Sequence, residues 1–87
     1  MTKTIYREEY RLVVNRLRET REALDLSQTE LAERIGHTQQ WVSQVESGSR
    51  RLDVIEFAEI CLALGADPSM VLAPVAEALA QPRKIRR

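Results

Sequence analysis

Residues 28–47 read QTELAERIGHTQQWVSQVES, two short segments with helical apolar spacing on either side of a glycine. Ser27 precedes Glu30 by three residues, the spacing of a capping box, in which serine and glutamate each satisfy a backbone N–H left open at a helix start. Leu31, Ala32 and Ile35 are the apolar positions of the first segment, and Gly36 gives the backbone the freedom to stop it. Thr38 is a good N-cap for the second, which carries Val42 and Val45 and ends at Gly48. A small residue, Ala32, on the inner side and a glycine at the turn let two helices cross steeply. The outer face of the second is then free to enter a groove. At about 100° per residue, Val42, Val45 and Glu46 point inward. Gln40, Ser43, Gln44 and Ser47 point the other way, with Gln39 at the exposed N-terminal tip.

Working outward, the same punctuation marks three more helices. Tyr6, Tyr10, Val13, Leu17 and Leu24 share one face of a first helix predicted from about Tyr6 to Leu24. Asp53 with Glu56 opens a fourth helix, whose Phe57, Ile60, Cys61 and Leu64 face inward before Gly65 ends it. Asp67 and Pro68 open a fifth, since proline in the first turn removes no helical hydrogen bond. Pro74 is expected to kink or end it near Ala73. No segment alternates apolar and polar residues, so no strand is predicted and the fold class is all-α.

The chain has 87 residues, enough for one domain and one core. Its longest apolar stretch, Ile60 to Ala66, is far short of the roughly 20 residues that span a bilayer. Charges at Lys3, Arg7, Glu8 and Glu9 leave no room for a signal sequence. A single cysteine, Cys61, excludes an internal disulfide and a cysteine-rich zinc site and fits a reducing compartment, so the expected location is the cytoplasm. With one histidine, His37, the triad and metal chemistries lack parts; no metal, cofactor or catalytic activity is expected. Net charge is zero, but it is segregated. Residues 1–24 hold six basic and four acidic side chains, residues 52–82 five acids and no Lys or Arg, and residues 83–87 four cations. The acidic stretch from Asp53 to Glu77 is expected to lie away from any polyanion.

The outward face of the second segment is polar, uncharged and rich in carboxamides. Glutamine offers a donor and an acceptor together, matching the N6 and N7 edge of adenine in the major groove. Taken alone, such a face is equally well read as a solvated surface. The wider sequence favours the first reading. Leu26 to Gly36 (LSQTELAERIG) followed by Gln40 to Gly48 (QWVSQVESG) closely resembles the Cro/C1-type (XRE-like) helix-turn-helix family. Phe57 to Pro68 (FAEICLALGADP) is similar to the fourth helix and start of the fifth in that family. The resemblance covers about Val13 to Leu72. It implies a compact five-helix, lambda-repressor-like DNA-binding domain over 10–75, with an N-terminal extension over 1–9 and a C-terminal extension and basic tail over 76–87.

Carried over by position, the resemblance implies base contacts from Gln39, Gln40, Ser43 and Gln44. It implies phosphate contacts from Gln28, Thr38, Ser47, Arg50 and Arg51. The Thr-Gln-Gln start also occurs in lambdoid phage repressors, where the glutamines read bases. Arg21 and Glu46 resemble a family ion pair joining the first helix to the third. The family implies a homodimer on a pseudo-palindromic double-stranded operator. Met70, Val71, Leu72, Val75 and Leu79 exceed what a short terminal helix needs for docking. Val71 and Leu72 are assigned to the core, and Met70, Val75 and Leu79 to the dimer interface.

Two departures stand out: the bulky Trp41, expected to half-bury against a neighbouring helix, and the terminal extensions. Arg83 to Arg87 reads as a solubilising tail rather than a DNA arm. Cys61 reads as plain core. The functional reading is a transcriptional regulator acting as a repressor, with a restriction–modification controller as a subtype. The alternative is an antitoxin that binds its operator and a protein toxin.

Overall fold

The computed structural model describes residues 8–81. Tyr6 and the basic run 83–87 lie outside them. The described residues form α1 (Glu8–Ala23), α2 (Gln28–Ile35), α3 (Gln39–Ser47), α4 (Val54–Leu64) and α5 (Pro68–Ala80), with no strand among them. α1 packs on α3, α4 and α5, and α2 on α3 and α4. Around this junction lie Val13, Val14, Leu17, Leu31, Ala32, Val42, Val45, Ile60, Cys61, Leu64 and Val71. Burial of Cys61 pushes its thiol pKa up, so the group stays protonated and acts as a small apolar side chain.

Helix boundaries follow the caps. Ser27 Oγ accepts from the Glu30 N–H at 3.0 Å while Glu30 accepts from the Ser27 N–H at 2.8 Å. Asp53 and Glu56 repeat the arrangement at 2.7 and 3.0 Å. Thr38 Oγ1 accepts from the Trp41 N–H at 3.1 Å. Gly36 and Gly48 close α2 and α3 at φ 74° and 86°, a region costly for residues with a β-carbon.

Three expectations need correction. Leu24 is exposed, because α1 ends at Ala23 and the chain turns through Asp25 at φ 59°. Its place on the inner face is taken by Val14 and Arg21, because α1 is covered by three helices and buries a wider arc than a single stripe. Pro74 does not end α5 near Ala73: the helix carries the chain through it to Ala80. The one bond proline forfeits is to the carbonyl of Met70. Leu72 is 41 % exposed rather than core; Val71 alone on α5 is fully buried, with Val75 packed against the core edge.

Candidate nucleic-acid interface

α3 is oriented by a buried ion pair. Arg21, in the last turn of α1, is 8 % exposed and reaches Glu46 on the inner side of α3. Its Nε donates to Glu46 Oε2 at 2.7 Å and its Nη2 to Oε1 at 2.9 Å, a two-pronged contact. Nη1 donates to the Leu26 carbonyl at 2.6 Å, in the turn before α2. Hydrogen bonding to Glu46 raises the Arg21 pKa above its ordinary value against the opposing effect of burial, so the pair stays charged. Glu22 stands 3.7 Å from the same guanidinium on its solvent side.

The pair extends to the tip of α3. Gln28 Nε2 donates to Glu46 Oε1 at 2.9 Å, and Gln28 Oε1 accepts from Gln39 Nε2 at 2.7 Å. Arg21, Glu46, Gln28 and Gln39 therefore form one continuous polar chain from the core to the first residue of the exposed helix. Gln39 spends one amide hydrogen on Gln28, and its carbonyl oxygen meets no donor among the described residues. The family resemblance implies a phosphate contact for Gln28 and gives no sign of this wiring. Contacts across 11 and 18 residues leave no periodic trace in the sequence.

Gln40 and Gln44 are exposed on the outer face and Ser43 is half-buried beside them. The Gln44 carbonyl accepts from the N–H groups of Ser49 and Arg50 at 3.0 and 3.2 Å, folding the following loop back on the end of α3. Ser47 Oγ also donates to that carbonyl, at 3.1 Å, and lies 3.2 Å from Ser49 Oγ.

The loop carrying Arg50 and Arg51 is pinned by Tyr10, which the sequence marks only as apolar. Its hydroxyl donates to the Arg50 carbonyl at 3.2 Å and accepts from the Leu52 N–H at 2.9 Å. Burial raises the Tyr10 pKa against the lowering effects of the Leu52 hydrogen bond and the nearby Arg51 charge. The Arg51 guanidinium lies 5.1 Å from the centre of the Tyr10 ring. Arg50 lies 5.6 Å from the Trp41 ring centre and 3.3 Å from Glu56. One carboxylate of the acidic stretch thus sits beside this loop, contrary to the expected separation, because Glu56 belongs to the cap of α4 that follows it directly.

Trp41 is half-buried and packed against the hydrophobic core, and it also meets the turn before α3. It stacks on His37 with ring centres 3.7 Å apart and planes 7° from parallel. No helix of the described residues is long and apolar enough to cross a membrane, and no group of three or more His, Cys, Asp or Glu among them is placed to hold a metal ion.

A family described as a helix-turn-helix domain matches residues 13–73. A solved structure of an XRE-family like protein from Pseudomonas syringae pv. tomato str. DC3000 is 41 % identical, with TM-score 0.77 over 90 % of this chain and 94 % of that one. The clp gene regulator ClgR from C. glutamicum is 26 % identical, with TM-score 0.74 over 87 % of this chain and 99 % of that one. No curated protein matches the chain.

Proposed function

This chain belongs to the XRE-like helix-turn-helix family of DNA-binding transcriptional regulators, and we propose that it binds a specific double-stranded operator in the cytoplasm and represses by occupying it. The observation that carries the proposal is the outer face of α3: exposed carboxamides on a helix whose angle is fixed by the buried Arg21–Glu46–Gln28 network. In this reading α3 enters the major groove with Gln39, Gln40, Ser43 and Gln44 toward base edges. Gln28, Thr38, Ser47, Arg50 and Arg51 meet phosphates, which position the helix without reading sequence. Exposed amides suit adenine edges, and the Gln28–Gln39 hydrogen bond selects which end of the Gln39 amide faces outward.

One α3 covers too few base pairs to single out a genomic site, so the proposal includes a symmetric dimer. Val75, at the core edge, and the exposed Leu79 lie about 40° apart around α5, which supports this side of the helix as the contact surface, while the exposed Met70 lies on nearly the opposite side. Selection of bound sequences from random duplex DNA tests the proposal. The expected result is an enriched inverted repeat whose half-sites lie about one helical turn apart. Recovery of no enriched sequence, with equal affinity for all duplexes, would overturn it.

A further inference from the structure

α1 carries two arginines that the proposed contacts leave unused. Arg11 and Arg18 are seven residues apart, which places them about 20° apart on one face of the helix. That face borders α3. The Arg11 guanidinium lies against Gly48, its Nη1 3.5 Å from where a β-carbon on that residue would sit. Arg18 lines a polar recess of about 290 Å³ beside α3, together with Arg21, Glu22, Gln28, Ser43, Glu46 and Ser47. The two cations thus follow α3 from its C-terminal end back toward its middle.

Both side chains are exposed, and neither has an ion-pair partner among the described residues. Glu22 has the spacing to pair with Arg18 along α1, yet its carboxylate stands by Arg21 instead. In the loop after α3, by contrast, Arg50 already faces Glu56 at 3.3 Å. Arg51 in that loop also has no ion-pair partner among the described residues, so α1 adds two such cations to the one the loop supplies, in a chain whose net charge is zero.

We infer that Arg11 and Arg18 form a second row of DNA-backbone contacts, each holding a separate phosphate beside the groove that α3 occupies. This rests on the DNA-binding reading above and extends the footprint from the α3 tip and its following loop to α1. Seven helical residues separate the two positions by about 10 Å, more than one nucleotide step along a strand. Such contacts carry no sequence information, so they raise affinity for every duplex alike.

The test is binding of the full chain to a random-sequence duplex across a salt series, with thermal melting of each variant. Arg11→Gln, Arg18→Gln and their combination are compared with Arg16→Gln, which removes the same charge from a position about 140° to 160° around α1. The expected result is a log-affinity against log-salt slope reduced by roughly one for each of Arg11 and Arg18 per bound protomer, with Arg16→Gln close to wild type. Arg18→Lys retains the slope. An unchanged slope in the double variant, with wild-type binding intact, overturns this inference and leaves the DNA reading standing. An equal loss in Arg16→Gln also overturns it, because net charge rather than placement is then responsible. A wild-type chain that binds no duplex even at low salt overturns the DNA reading and this inference together.

Discussion

α3 and α5 lie on the same core but are held there by different forces. α3 buries Val42 and Val45, is capped at both ends, and is fixed in rotation by the two-pronged Arg21–Glu46 contact. Its exposed face is polar. α5 buries only Val71 fully, rests Val75 against the core edge, and leaves Met70 59 % and Leu79 50 % exposed. Apolar burial is non-directional and tolerates small rotations of a helix, whereas a charged fork bonded to a carboxylate does not. In the proposed function α3 presents amides to base edges, a task that calls for directional anchoring. A helix that only has to adhere, to its own core or to a second copy, does not.

The largest effect is expected where the directional anchor is broken. Glu46→Gln or Arg21→Ala strands a buried charge and is expected to cost about 3–5 kcal/mol, read as a large fall in Tm. Replacing both by apolar residues of matched size is expected to restore much of the stability but not operator preference. Full recovery of preference in that double variant would show that apolar packing orients α3 as well as the ion pair does. On the other side of the comparison, Val71→Ala removes the main anchor of α5 and is expected to cost about 2 kcal/mol, measured by denaturant unfolding. A loss as large as that of Glu46→Gln would erase the distinction between the two helices.

Tyr10→Phe removes two hydrogen bonds from the Arg50–Arg51 loop and is expected to cost about 1 kcal/mol. Because the folded state raises the Tyr10 pKa, the neutral phenol is the form that folding favours. Its contribution is fully present below the unfolded value near 10 and is lost as pH rises through the higher folded value. Wild-type stability is therefore expected to fall more steeply than that of Tyr10→Phe in alkaline unfolding titrations. The smallest change in monomer stability, within about 0.5 kcal/mol, is expected from Met70→Glu with Leu79→Lys, since both sites are exposed. Sedimentation with a full inverted repeat is expected to show disappearance of the two-to-one complex. Its persistence would remove α5 from the dimer interface.

The boundaries of α2, α3 and α4 are legible in the sequence because their caps are local: each needs only a serine, threonine or aspartate followed at fixed spacing, then a glycine. The inward set of α3, including Glu46, follows from helical periodicity. What periodicity does not show is contact between helices. Val14 is buried because a third helix covers α1, and Leu24 is exposed because the chain leaves the helix one residue before it. Tyr10 reads as one more apolar residue until a backbone some 40 residues away meets its hydroxyl. Pro74 reads as a stop signal, yet its cost depends on whether the freed carbonyl reaches water, which a sequence does not record. The links from Gln28 to Glu46 and Gln39 belong to the same class: the sequence marks each glutamine but not their connection.

Whether the amides of a rigidly held α3 discriminate bases is tested most directly by the ratio of affinities for a selected operator and a random duplex. The two are to be measured at one salt concentration for wild type and for Gln39→Ala with Gln40→Ala. The ratio is expected to fall by the equivalent of about 1–3 kcal/mol for each bidentate base pairing removed, while affinity for the random duplex barely moves. An unaltered ratio in the double variant, with the protein folded and bound, would contradict base reading by these amides.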